Sequence, residues 1–290
     1  MKILVAGASG FGNLGDDAYK QIMSDYFEGR HEFYFDSPYP DLRYFDEMDH
    51  LIIGGGGLIY GENAHLRYME MYMREAIARD IPFSFRSVGV QPLKINNPEN
   101  KDFMPTVLEE IKKWKPYLEQ AEYISVRSRK DKEILDALLQ NNKTFAYPDL
   151  CYLIEPANYF VFHKGSSVLI PTTLSMKAGH YDDYTAVAGL SDQAVALQFA
   201  RDDVEAINTV KGFLGGKSEL NSRERLTPRE AMAVISRANH VITGRYHGMV
   251  FAKKAGVPYT SVDTRYKSLV DDWNSTEFLG GLPYRHLDHL

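Results

Sequence analysis

Short apolar runs alternate with amphipathic stretches along most of the chain. Runs rich in β-branched and aromatic residues predict strands at 2–6, 32–35, 51–53, 83–88, 123–126 and 144–147. A 3.6-residue apolar period predicts helices at 16–27, 64–79, 101–120 and 129–139. A second series begins near Ser167, with strands at 167–170, 193–199, 240–243 and 259–262 and helices at 203–213, 228–238 and 248–255. Strands alternating with helices imply right-handed crossovers and parallel sheets. The expected fold is α/β, with two Rossmann-like domains facing a cleft, the usual place for a substrate. The domains are expected at 1–155 and 166–270, with a tail at 271–290 packing back on the first. Residues 151–165, with Pro156 and little periodicity, read as a linker, and 212–222 as a polar, glycine-rich mobile loop.

The 290 residues suffice for two domains, and the net charge of -6 argues against a nucleic-acid footprint. Any anionic substrate must then be met by a local basic cluster. The single cysteine, Cys151, permits no intrachain disulfide and reads as a buried thiol in a reducing compartment. No run of about eighteen apolar residues is present, so no membrane span is expected. The apolar run at 2–6 is too short for a signal peptide, and the expected compartment is the cytoplasm. No carboxylate–histidine set has metal-ligand spacing, so neither a metal nor a cofactor is expected, the histidines of the tail (His286, His289) included.

The densest candidate chemistry lies in Thr243-Gly244-Arg245-Tyr246-His247-Gly248, at a strand-to-helix junction. A helix N-terminus with unpaired N–H groups is a natural anion site. The next strand leads into Lys267, and in a parallel sheet both junctions share one edge, so Arg245, His247 and Lys267 can converge. The alternative is that His247 caps a helix and Lys267 is solvated. Arg127, at another strand end, offers a planar fork for a carboxylate or phosphate, or else a surface ion pair with Asp131. Ser87-Val88-Gly89 and Tyr147-Pro148-Asp149 end further strands; Asp149 either faces the cleft or makes a turn.

Glycines follow the first strand, from Gly7 to Gly15, and admit close approach of a ligand to the backbone. Counted from Gly7, the dinucleotide fingerprint fails at Ser9, and no tyrosine has a lysine four positions on. Asn13, Asp16 and Asp17 are candidates for sugar hydroxyls or for helix capping. Gly54 to Gly57, with Gly55 and Gly56 at the centre, read as a backbone floor under a ligand or a tight turn.

In this order and spacing, Gly12-Asn13-x-Gly15-Asp16-Asp17-Ala18, Gly54 to Gly57, Ser87-Val88-Gly89, Ser125-Val126-Arg127, Tyr147-Pro148-Asp149 and Arg245-x-His247 with Lys267 resemble the polysaccharide pyruvyl transferase family. The resemblance runs from Gly7 to about Leu269 and departs at Ser128, where aspartate is common, and Tyr246, where leucine is common. It implies a GT-B-type architecture with trimmed acceptor loops. The implied reaction moves the pyruvyl group of phosphoenolpyruvate onto a sugar as a cyclic ketal, releasing phosphate, in surface or exopolysaccharide biosynthesis. It assigns the donor to Arg127, Arg245, His247 and Lys267, with His247 and Arg245 catalytic. Asn13, Asp16, Asp17, Gly55 and Gly56 would meet the acceptor, an acidic one among them serving as base. The implied partners are phosphoenolpyruvate and a glycan acceptor, the latter at the inner membrane face where it is lipid-linked. Two other readings stay open: a GT-B glycosyltransferase using a nucleotide sugar, and an inactive carbohydrate-binding protein.

Overall fold

The structure is a computed structural model that describes residues 1–7, 12–35, 41–61, 64–92, 94, 100–140, 143–158, 164–214, 226–288 and 290. Residues 8–11 of the first glycine loop, 159–163 of the expected linker, 215–222 of the expected mobile loop and His289 lie outside the described residues.

The first series runs β1 (Lys2–Ala6), α1 (Leu14–Tyr26), β2 (Glu32–Phe35), β3 (His50–Ile59), α2 (Ala64–Ala78), β4 (Phe83–Val90), α3 (Phe103–Ile111), α4 (Lys115–Gln120), β5 (Tyr123–Val126), α5 (Arg129–Leu139) and β6 (Thr144–Ala146). Among the described residues its strands form one parallel sheet, β2-β1-β3-β4-β5-β6. The second runs β7 (Ser167–Ile170), α6 (Thr173–Lys177), α7 (Tyr181–Ala188), β8 (Ala194–Ala196), α8 (Asp203–Leu214), α9 (Pro228–Ile235), β9 (His240–Thr243), α10 (Tyr246–Ala255), β10 (Tyr259–Ser261), α11 (Thr264–Asp271) and α12 (Ser275–Leu279). Its strands form a parallel sheet in the order β10-β9-β7-β8.

Central strands of a parallel sheet are covered on both faces, so β4 is buried at every position, polar Ser84, Arg86 and Ser87 included, as is β7. Where the strand order reverses, the loops leaving two neighbouring strands diverge and open a ligand crevice. Glycines stand at both reversals. A Cβ on Gly7, after β1, would lie 2.1 Å from the Gly54 carbonyl oxygen in β3. One on Gly244, after β9, would lie 2.8 Å from Thr172 Oγ1, just after β7.

The chain folds into two compact units, one of Met1–Phe11, Tyr19–Leu150 and Gly281–Leu290, the other of Gly12–Ala18 and Cys151–Gly280. The sequence boundaries differ in three places. The first turn of α1 belongs to the second unit, the change of unit falls before Cys151, and the tail divides at Gly281.

Differences in the elements have local causes. The expected helix at 101–120 is broken into α3, a 3-10 turn at Lys112–Trp114 and α4, because Pro116 has no N–H for the ladder. The strand expected at 193–199 stops at Ala196, and Leu197 and Phe199 bury their side chains from a loop. Helices α6 and α7 were not expected, yet a parallel β7–β8 pair needs a crossover of a dozen or more residues. Helix α11 occupies what the sequence suggested was a strand-end loop.

Candidate functional site

Three segments of the second unit meet beyond the carboxyl ends of its strands. The first is the start of α1. Asn13 caps it, its Oδ1 accepting from Gly15 N–H at 3.1 Å, with Asp16 and Asp17 in the first turn. The second is the loop from β8 to α8, whose Phe199 carbonyl accepts from Leu14 N–H at 2.7 Å. Gly12 takes φ +75° with the aliphatic chain of Arg201 beneath it, 3.1 Å from where a Cβ would be. The third is the junction of β9 and α10, where Thr243 Oγ1 accepts from Arg245 N–H at 2.9 Å and donates to Arg245 O at 3.0 Å.

His247 lies in the first turn of α10 and is buried. Its imidazole packs on Gly15 so closely that a Cβ there would sit 1.8 Å from Nδ1. Tyr246 stacks edge-on against the ring, with centroids 5.1 Å apart. Cys151, a buried thiol, donates to Gly15 O at 3.5 Å. Gly10-x-Gly12-x-x-Gly15 does spell the dinucleotide string, three residues beyond the frame counted from Gly7. Gly12 and Gly15 are nonetheless required by protein side chains, Arg201 and His247.

Arg245 is held by two carboxylates the sequence reading overlooked. Asp203, fully buried, accepts from Nη2 at 2.5 Å and from Nε at 3.2 Å; Asp202, exposed, accepts from Nη2 at 2.8 Å. Burial alone pulls the guanidinium pKa down, but the bonds to Asp203 and Asp202 outweigh it and keep Arg245 cationic. Burial pushes the Asp203 carboxyl up, opposed by its own pairing with Arg245. An open concavity of about 810 Å³ adjoins the pair, lined by Thr173, Arg201, Asp202, Glu205 and Asn208 among others.

Lys267 does not join them. It is exposed on α11 and pairs with Asp271 one turn on, because the segment is helical and places i and i+4 side by side.

Arg127, Gly55 and Gly56 belong to the first unit. Arg127 and Asp131 are both buried, so neither lies at the surface. The Arg127 side chain is 3% exposed, with Nη1 3.8 Å from Asp149 Oδ2. Asp131 turns inward, accepting from Val90 N–H at 3.0 Å, while Ser128 caps α5 by accepting from Asp131 N–H at 3.0 Å. Gly57 and Gly89 form the slot for the guanidinium: a Cβ on Gly89 would lie 2.3 Å from Nε, and one on Gly57 3.1 Å from Nη2. Asp149, fully buried, accepts from Tyr19 OH at 2.8 Å. The Tyr19 ring lies on Gly55, leaving 2.7 Å to a Cβ there, and Gly55 and Gly56 take φ +78° and +84°. Three of the four adjacent glycines, Gly55, Gly56 and Gly57, are thus explained by a left-handed kink and two close side chains.

The sequence led to the expectation of a tail at 271–290 on the first domain; residues Gly281–Leu290 belong to the first unit, and the side chains that hold them were not among the expected site residues. Arg86 of β4 is buried and donates to His286 O at 2.8 Å, to Asp288 O and to Ser84 Oγ at 2.9 Å, with Tyr123 beneath its guanidinium at 4.3 Å. His286 is fully buried, with Nδ1 2.8 Å from Ser125 Oγ and Nε2 3.0 Å from Pro148 O. The carbonyl must receive a proton from Nε2, so Nδ1 accepts from Ser125 when the ring is neutral. Burial lowers the His286 pKa to about 4, and likewise that of His50, which lies 3.0 Å from Ser84 Oγ.

Comparisons with known proteins agree with this architecture. The fold is similar to that of the UDP-GlcNAc 2-epimerase of Methanocaldococcus jannaschii in complex with UDP-GlcNAc and UDP, at 9% identity and TM-score 0.58, over 93% of this chain and 87% of that one. It is similar to S. aureus MnaA in its UDP co-structure, at 10% identity and TM-score 0.62, over 99% and 95%. The UDP-GlcNAc 2-epimerase of Neisseria meningitidis bound to UDP-GlcNAc gives 11% and 0.58, over 93% and 85%. Identities this low establish the fold alone, which is of the GT-B type. No curated protein matches the chain. The family profile described as Polysaccharide pyruvyl transferase matches residues 13–265, from the cap of α1 into α11. On that match, which takes in all three segments around His247, the chain belongs to the polysaccharide pyruvyl transferase family.

Proposed function

We propose that the protein transfers the pyruvyl unit of phosphoenolpyruvate to two hydroxyls of one sugar, forming a cyclic ketal and releasing phosphate, on a precursor of a surface or exopolysaccharide. The observation that carries this reading is His247 in the first turn of α10, seated on Gly15 and two residues from Arg245, inside the family match. Ketal formation needs a proton delivered to the methylene carbon of the donor and removed from each attacking hydroxyl. Histidine suits the acid role because its ordinary pKa lies near working pH. The donor carries a carboxylate and a phosphate, so fixed guanidinium groups at Arg245 and Arg127 suit its binding and the stabilisation of the leaving phosphate. Lys267 joins only by leaving Asp271, and an exposed pair of that kind is weak. Asn13, Asp16 and Asp17, with Gly55 and Gly56, are assigned to the acceptor, and one of the aspartates to the base. No further cofactor is invoked. The proposed place of action is the cytoplasmic side of the membrane; no helix among the described residues is long and apolar enough to cross one.

The second reading is a nucleotide-sugar glycosyltransferase, favoured by the similar structures that hold UDP or UDP-GlcNAc. A thermal-shift titration with phosphoenolpyruvate and a panel of nucleotide sugars decides between them. Ligand at a hundred times its Kd stabilises by about 2.7 kcal/mol. A shift with phosphoenolpyruvate alone, lost in Arg245→Ala, supports pyruvyl transfer; a shift with a nucleotide sugar alone overturns it. For the acid role, His247→Ala is expected to lower turnover by about 10²–10⁴-fold. Near-normal turnover would remove His247 from that role.

A further inference from the structure

Asp203 has no place in the scheme above, yet it is the fully buried carboxylate against which Arg245 is set. An unpaired carboxylate at that depth is costly, so the guanidinium and the carboxylate stabilise each other's position. Asp203 Oδ1 takes Nη2 and Oδ2 takes Nε, a fork-to-fork pair that fixes the guanidinium plane as well as its distance. Asp203 is itself fixed, since Oδ2 also accepts from Ala200 N–H at 2.9 Å. The backbone of Arg245 is clamped by both bonds to Thr243 Oγ1. With Nε and Nη2 engaged, Nη1 makes no protein hydrogen bond among the described residues, and the side chain keeps 25% of its surface exposed.

We propose that Asp203 is a positioning residue that locks the Arg245 fork and presents its Nη1 edge to an anionic group of the donor. The inference rests on the reading that Arg245 meets the donor. It makes the Arg245 site specific for a planar, forked cation. A point charge spent on Asp203 has no second edge to offer.

The test is a double-mutant cycle on the full chain with Asp203→Asn, Arg245→Ala and the double variant. It reads the KM and kcat for phosphoenolpyruvate and the Kd for inorganic phosphate, beside the melting temperature. Asp203→Asn is expected to raise the phosphoenolpyruvate KM and the phosphate Kd at least about tenfold, and to add less than twofold once Arg245 is alanine. Unchanged constants in folded Asp203→Asn, or losses that add independently, overturn the proposal. If Asp203→Asn does not fold, Arg245→Lys keeps the buried carboxylate paired. It is then expected to lose donor and phosphate affinity as fully as Arg245→Ala; retained affinity overturns the proposal. Phosphate bound without phosphoenolpyruvate turnover in the wild type counts against the pyruvyl reading and leaves the Asp203–Arg245 coupling measurable. A wild type that binds neither anion overturns both.

Discussion

Gly15 sits in the first turn of α1, where intrinsic propensity favours alanine by about 1 kcal/mol. Packing opposes it, because a Cβ would stand 1.8 Å from His247 Nδ1. Steric exclusion wins at that distance, so Gly15→Ala is expected to displace the imidazole. Turnover should fall towards that of His247→Ala, while circular dichroism still reports a folded α/β protein. Wild-type kcat in Gly15→Ala would mean that the ring does not act from this seat. The glycine itself was legible as a motif residue. Its partner was not, since nothing in the chain pairs positions more than two hundred residues apart until the strands are ordered. Lys267 shows the opposite case. Its proximity to a strand end suggested a site, and the helical periodicity of α11 gave it a nearer partner in Asp271.

At the scale of elements, the carboxyl ends of β3 and β4 are built around Arg127. Gly57 and Gly89 leave the slot that its guanidinium fills beside Asp149. Gly89→Ala would put a methyl 2.3 Å from Nε, with no exposed space for a buried side chain to retreat into. Overpacking of this kind typically costs about 1–3 kcal/mol, so the urea midpoint of Gly89→Ala should fall accordingly. A midpoint within error of wild type would show that Arg127 moves freely. Strand and helix identity was readable in most of these elements because burial on both faces leaves continuous apolar runs. The ends were not, because Pro116, the kink at Gly55 and Gly56, and the capping of α1 by Asn13 each act on one hydrogen bond that periodicity does not encode.

At the scale of the molecule, the chain is not divided into two consecutive segments: Gly281–Leu290 returns to the unit of β1 to β6. Its His286 is fully buried and neutral, as is the nearly buried His50, each with a pKa lowered to about 4. The unfolded chain takes up these protons near pH 6.5, whereas the folded chain resists until about 4. Stability from both groups is therefore complete above about pH 6.5 and is lost as pH falls from there towards 4. The loss is on the order of 3 kcal/mol per group. Urea midpoints at pH 7.5 and 4.5 should differ markedly, and His286→Gln should flatten the difference. An equal pH dependence in the variant would place the effect elsewhere.

Periodicity, glycine placement and motif order by themselves determined that this chain forms two series of parallel β/α units and belongs with pyruvyl transferases, because both properties are local in sequence or depend on spacing alone. Only the tertiary structure decided the partners: Gly15 under His247, Asp203 on Arg245, Asp149 beside Arg127 and the tail against Arg86. Each of these pairs joins residues from different elements. Their meeting is set by strand order and by the exclusion of water around buried polar groups, which no stretch of sequence specifies alone.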